Sequence, residues 1–553
     1  MTLACWPRVC VLALFAIATT AGAGETSEPG PSTSTSAQSA ACAAMLAVPN
    51  APTTMASILR ADVTSSLDAA RPIAAAPVEL LVALSLSGGG YRAMLFHVGT
   101  LRRLNDAGLL ARLSVVSSVS GGSVVSAYLA YRWRDLTFDD AGRATNFVDV
   151  VELPLRELAS STLDIPSVLT GLLPFTSAAD RQVAHFDERL FRGAPLSAIA
   201  PGGGERSDAS RPRPLFIINA TSLQTGELWQ FRAKVMGGPI IGWTMTDGVR
   251  LAQATAASSG FPPFLSPLVL MPSSAADGKP WPDCVDYRDN PYGVAYANEP
   301  GRRLPKIEQA AFRKSIELTD GGVRDNLGIA AIEEINRLRR LQGAAPSTVT
   351  LISDGGATTA LDATPAANWA GQARRVLNLL SDQPDEVRVG NIIRTGSQRL
   401  RRFGWNAGQT LPDCAEQAPP ERLQLARRKA SLAPDPDADA FAFWSIRRLP
   451  KLHTGFRCPQ AGPGWMVDEV HALSLVPTAF RAMPPDLQAR LINWGYLAAH
   501  HGLPYVDFAW PDPALRARWL APCELPYGPA MTDPRGDNPS AREARCVALT
   551  ALD

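Results

Sequence analysis

The 553-residue sequence has almost no net charge, with 53 Lys and Arg against 52 Asp and Glu. Such a chain has no basic footprint for a phosphate backbone and no polybasic anchor, which excludes nucleic-acid binding by bulk charge. Lysine is scarce, at six of the 53 basic residues. Beside abundant Ala and Pro this bias reflects composition and carries no mechanistic meaning. A bilayer-spanning apolar run is also missing near the start, because Val9 to Ala18 is shorter than the ~20 residues a membrane requires. An apolar fraction of 46% with 19% charged residues is that of a globular chain, neither disordered nor multi-span. No close Cys/His pairing has zinc spacing, so no zinc site is expected.

What is present begins with a leader. Residues 1–23 carry one charge, Arg8, an apolar stretch and the small-residue ending Ala21-Gly22-Ala23, which reads as a secretory signal peptide. The mature chain is then expected to be exported, periplasmic or secreted, without a transmembrane span. Residues 24–75 open with a Ser/Thr/Pro/Gly-rich segment and form a flexible leader. Six cysteines remain after the signal: Cys42, Cys284, Cys414, Cys458, Cys523 and Cys546. An even set in an exported chain points to disulfides, with Cys414–Cys458 and Cys523–Cys546 the nearest pairs.

From Val78 the pattern becomes strand, Gly-rich turn, helix. VELLVALSL runs into SGGG and then into a helix pattern at YRAMLFHVGTLRRLNDAGLL. RLSVVSS, SGG and SVVSAYLAYRW repeat that grammar. Further strands are expected at Pro214 to Thr221, Ser315 to Asp320 and Thr348 to Asp354, with a helix before the last, and a late helix at Leu487 to Leu503. This alternation predicts an α/β fold with a mostly parallel central sheet and helices on both faces. Asp180 to Arg213 and Ser273 to Arg303, rich in Gly, Pro and charge, are expected as surface insertions.

Two turns carry chemistry. Ser120 ends a predicted strand with Ser118 two residues before and Gly122 two after, the small flanks that a sharp strand-to-helix turn needs to hold a nucleophile out of the sheet. The bland alternative is a helix N-cap. Ser87-Gly88-Gly89-Gly90-Tyr91-Arg92 aims successive backbone N–H groups into one volume at a helix start, which suits an oxyanion or a phosphate. It also fits a dinucleotide turn, but the second strand ends in SVSGG without the acid that reading requires. No histidine lies in a motif that would make it a base; His97 is expected to be packed. Asp320 and Asp354 each end a predicted strand before Gly-Gly, and Asp247 precedes a glycine in a weaker context. A strand-end carboxylate could take the serine proton directly.

These stretches resemble the patatin-like phospholipases and their cytosolic phospholipase A2 relatives. SGGGYRA is similar to the Gly-rich oxyanion motif, SVSGG to the G-x-S-x-G elbow, TDGGVRDNLGI to the Asp-Gly-Gly/Ala motif and ATAASSGFPPFLSP to the segment before the family's catalytic Asp. The resemblance implies a patatin-like acyl hydrolase architecture over residues 76–510, with 511–553 a C-terminal extension. It implies Ser120 as nucleophile, Asp320 as base, oxyanion donors at Gly88, Gly89 and Gly90, and a substrate-phosphate role for Arg92. Asp354 stays the competing base. The implied substrates are membrane or micellar phospholipids and related lipid esters, met by peripheral membrane contact. A non-catalytic lipid-binding protein and an acyltransferase are the alternatives. Val150 to Phe175, apolar but interrupted by Pro and polar residues, is either an interfacial lid or core.

Overall fold

The computed structural model describes residues 81–163, 178–201, 212–238, 241–262, 265–271, 315–341, 348–357, 440–447, 466–503 and positions 372, 506, 518 and 525–527. Strand β1 (Leu81–Leu86) turns into α1 (Gly90–Asp106), and β2 (Val115–Val119) into α2 (Gly121–Arg132). After α3 (Leu153–Ala159) and α4 (Ala178–Phe186) come β3 (Leu215–Ser222) and the short strands β4 (Leu228–Phe231), β5 (Val235–Gly238) and β6 (Gly242–Met245). Helix α5 (Leu251–Ser259), β7 (Leu268–Leu270), β8 (Ile316–Asp320), α6 (Gly322–Asp325) and α7 (Ala330–Leu341) follow. The described chain ends with β9 (Thr348–Asp354), β10 (Ala440–Ser445), α8 (Met466–Ser474) and α9 (Pro485–Gly502).

Strand order is β10-β9-β1-β2-β3-β4-β5-β6, with β8 joined to both β3 and β7. The ladder from β10 to β3 is parallel, and the flank beyond β3 is antiparallel. Side chains of the parallel strands alternate between two apolar layers, which is why these strands read as continuous apolar runs. Val82, Leu84, Leu86, Val116, Phe216 and Ile218 join the layer that holds residues of α1, α2 and α9. Leu81, Ala83, Val115, Leu215 and Ile217 face Ala331, Ile332 and Ile335 of α7 on the other side. The expected mostly parallel sheet with helices on both faces is the fold.

One feature of register positions the site. Ile218 pairs with Ser118 and with Phe231, so β2 and β4 occupy opposite edges of β3. Ala220 pairs with Trp229 of β4 and with Asp320 of β8, so β8 shares the β2 edge. β2 runs parallel to β3 and stops at Val119 opposite Asn219, while β8 arrives antiparallel and stops at Asp320 opposite Ala220. The two strands therefore meet head to head, and their C-terminal residues become neighbours.

The described residues of the stretch expected as an insertion at Asp180 to Arg213 are built into the body. Phe186, Phe191, Leu196 and Ile199 are buried there, because its polar residues alternate with large apolar ones at helical spacing. Of the lid-or-core stretch, Val151, Leu155 and Leu158 are core, and its second half lies outside the described residues. So do the signal, the leader, all six remaining cysteines and Ser273 to Arg303. Among the described residues no helix is long and apolar enough to cross a membrane.

Candidate active site

The turn after β2 is strained at one residue. Ser120 has φ 52° and ψ −120°, a conformation that costs an L-residue of order 1–3 kcal/mol and persists only where the surroundings impose it. Those surroundings are close backbone. A Cβ on Gly122 would lie 2.4 Å from the Leu86 carbonyl oxygen, and one on Gly121 would lie 2.1 Å from that of Gly90. Only glycine lets α2 start so near β1 and the Gly turn. Two residues before Ser120, the sequence has Ser118 where glycine is the elbow's usual residue. Its hydroxyl is absorbed beneath α2, donating to the Ile217 carbonyl (3.2 Å) and approached by Ser126 Oγ (2.5 Å) and Ser123 Oγ (3.1 Å).

The head-to-head meeting of β2 and β8 brings Ser120 to Asp320, and the serine hydroxyl acts on the carboxyl as a hydrogen-bond donor that lowers its titration. Asp320 also accepts the Gly322 N–H at 2.7 Å. Burial dominates its titration, pushing the carboxyl up to about 6 against the opposing pull of the Gly322 and Ser120 hydrogen bonds. A carboxylate of raised basicity touching a serine hydroxyl can accept its proton at neutral pH.

Asp354 sits elsewhere and is differently tuned. It ends β9, on the far side of β1 from β2, and is bonded to Arg447 Nη2 (3.0 Å), Ser445 Oγ (2.8 Å) and the Gly356 N–H (2.9 Å). Burial alone would raise it, but Arg447, with the bonds from Ser445 and Gly356, holds it below the usual carboxylate range. A carboxylate held ionised by its own cation is a weak base, whereas the environment of Asp320 raises its basicity. Asp247 is exposed in a turn after β6.

The Gly turn reaches the same point. A Cβ on Gly88 would stand 3.1 Å from the Ser120 Cβ. The expected donors are narrowed, however, because the Gly88 N–H is spent on the Asn326 carbonyl at 3.0 Å. Gly89, with φ 141°, and Gly90, with φ 61°, begin α1, where amides have no carbonyl a turn earlier to bind. They are the amides of the bend that suit an oxyanion.

Arg92 also holds the Gly turn. It is fully buried, donating from Nε to the Gly355 carbonyl (3.1 Å) and from Nη1 to that of Val476. With those donors engaged by backbone, it ties the Gly turn to two distant loops rather than offering a phosphate the open fork that recognition needs. His97 works beside it. Its Nε2 faces the Ser87 carbonyl (2.9 Å), an acceptor only, so Nε2 carries the proton and Nδ1 faces Ser353 Oγ (2.9 Å). Burial lowers it to about 4, so it is a neutral clamp on the Gly turn.

Asn326 was not singled out from the sequence, although it lies within the TDGGVRDN stretch. Its carbonyl fixes Gly88, and its side-chain oxygen lies 2.3 Å from where a Gly88 Cβ would be and 2.7 Å from a Gly322 Cβ, so it couples the bend to the base motif. Ser258 was missed too. Among the described residues no group of three His, Cys, Asp or Glu side chains could hold a metal ion.

Residues 84–332 match the family model described as patatin-like phospholipase. No curated protein matches the chain. Solved structures similar to it include human GIVD cytosolic phospholipase A2, at 14% identity over 84% of this chain and 63% of that one, with a TM-score of 0.41. The same human protein in complex with methyl gamma-linolenyl fluorophosphonate gives a TM-score of 0.35 at the same identity and coverage. VipD from Legionella pneumophila gives 0.26, at 13% identity over 78% of this chain and 67% of that one. The chain thus spans 63% of the human structures' length, and likenesses this loose carry no weight for activity.

Proposed function

Residues 84–332 are a patatin-like phospholipase domain, and from that premise we propose that the protein is an exported serine acyl hydrolase acting on fatty acyl esters of membrane or micellar phospholipids and related lipids. Export rests on the signal-like segment at residues 1–23. The observation that supports the chemistry is the juxtaposition, where β2 and β8 meet, of Ser120 in a strained elbow with a buried Asp320 of raised basicity.

The steps follow from those positions. Ser120 Oγ bonds to the ester carbonyl carbon as its proton passes to Asp320, and negative charge gathers on the former carbonyl oxygen. Amides at Gly89 and Gly90, with the α1 dipole behind them, face that charge. Collapse breaks the carbon–oxygen bond to the alcohol, which leaves with the proton from Asp320. A water molecule then gives a proton to Asp320 as its oxygen adds to the acyl carbon. The second collapse returns that proton to Ser120 Oγ and frees the fatty acid.

The test uses the purified mature chain, a p-nitrophenyl fatty acyl ester, phosphatidylcholine micelles and a fluorophosphonate probe. Ser120→Ala and Asp320→Asn are each expected to lower kcat at least ~10³-fold while leaving the fold intact. The probe should label the wild type and not Ser120→Ala. Turnover retained in either variant rejects that residue's role, and an inert, unlabelled wild type favours a lipid-binding protein. Added alcohol acceptors should not divert the acyl group; a product ester would make the protein a transferase.

A further inference from the structure

Helix α5 ends at the dyad, and the bonds of its last turn divide between the two reacting residues. The Ser120 N–H donates to Ser258 Oγ at 3.0 Å. The Gly321 N–H, next to the base, donates to the Ser258 carbonyl at 3.1 Å, and the Asp320 N–H to the Gly260 carbonyl at 3.0 Å. Ser258 is fully buried. Its own hydroxyl proton goes to the Asn219 carbonyl at 2.6 Å, since a carbonyl can only accept, which leaves lone pairs for the Ser120 amide and for Ser123 Oγ at 2.8 Å. Asn219 is the residue of β3 opposite the end of β2. One side chain therefore pins the nucleophile's peptide to the strand that both reacting ends share, and its main chain pins the turn that carries the base.

We propose that Ser258 is a positioning residue for the Ser120–Asp320 pair, fixing through its hydroxyl the backbone amide of the nucleophile and through its carbonyl the turn of the base. This rests on the reading of Ser120 and Asp320 as the reacting groups. Ser120 occupies a conformation that relaxes unless it is held. The Ser258 bond stops the Val119–Ser120 peptide from rotating, and rotation there would carry Oγ away from the carboxylate. A displacement of about 1 Å in a reacting group costs on the order of 10² in rate. Substrate meets Oγ and not the amide beneath it, so the loss belongs in kcat.

The neighbouring Ser259 is a control for mere packing. It is equally buried, donating to the Thr255 carbonyl (2.7 Å) and receiving Gln182 Nε2 (2.9 Å), with no bond to either reacting residue. Ser258→Ala is expected to lower kcat for the p-nitrophenyl ester about 10²-fold with KM within about twofold of wild type. Ser259→Ala should keep kcat within about threefold of wild type. Ser258→Thr, which keeps the hydroxyl, should regain at least about tenfold of the loss. Equal kcat in the two alanine variants, or a loss confined to KM, overturns the proposal. If circular dichroism shows Ser258→Ala unfolded, the comparison passes to Ser258→Thr and Ser258→Cys, and a thiol variant as fast as the hydroxyl variant overturns it. An active Ser258→Ala beside an inactive Ser120→Ala would defeat this inference alone, whereas an inert wild type would defeat the hydrolase reading beneath it.

Discussion

Asp320 and Asp354 each end a strand before two glycines, and their surroundings drive them in opposite directions. Asp320 is buried beside a neutral hydroxyl and an amide, so its folded-state carboxyl is raised to about 6. Its contribution to stability is then full below the ordinary aspartate range and lost as pH rises through about 6, a loss worth ~3 kcal/mol by pH 8 at about 1.4 kcal/mol per pH unit. Asp354 is buried too, but Arg447 and its hydrogen bonds lower it, so its contribution is full above the ordinary range and lost only as pH falls through its depressed value. At pH 8, Asp320→Asn should therefore raise the thermal midpoint while abolishing turnover. Asp354→Asn should cost ~3 kcal/mol, because it strands the largely buried Arg447 cation, yet keep measurable hydrolysis. Urea unfolding and ester kinetics on both variants check this. A destabilised Asp320→Asn beside an inactive, stable Asp354→Asn would exchange their roles.

Among the elements, α1 follows directly on the Gly bend and presents the helix's positive end there, and α9 sets where that helix lies. The two cross with almost no side chain between them: a Cβ on Gly495 would lie 1.8 Å from the Phe96 carbonyl oxygen, and one on Gly99 would lie 1.9 Å from that of Ile492. Backbone that close cannot yield locally, so a methyl at the crossing pushes the whole helix. Gly495→Ala is expected to destabilise the fold by ~3 kcal/mol, at the upper end of overpacking costs. Because α1 would move as a body, kcat should fall even under conditions where the variant remains folded. Unfolding curves and kcat measured on the same preparation test both halves. An unchanged kcat in a destabilised protein would show that the bend is held independently of α1, through Ser87, His97 and Arg92.

At the scale of the molecule, what the sequence disclosed followed from burial on both faces. β1, β2, β8 and β9 were legible because each runs into a serine or acid followed by glycine, and β3 because it opens on the apolar run LFII; the candidates Ser120, Asp320 and the Gly bend lie at three of those ends. β4, β5 and β6 were not, being four residues each, with two glycines in β5 and a buried Gln230 in β4. The contrast between Asp320 and Asp354 depends on Arg447, 93 residues beyond Asp354, and the burial of Arg92 on a carbonyl 384 residues away. Such partners leave no local pattern. The same long-range environment separates the pH at which function fails from the pH at which the fold fails. The base must be ionised, so kcat should fall about tenfold per pH unit below about 6, leaving on the order of a tenth of the plateau at pH 5. Protonating Asp320 relieves a buried charge and favours the fold, while Asp354 stays ionised beside Arg447 through that range. The protein at pH 5 should accordingly be slow yet folded by circular dichroism, and should regain its full rate on return to pH 8. A flat rate from pH 5 to 8 would remove Asp320 as the base, and a rate that fell only with the dichroism signal would assign the acid limb to unfolding.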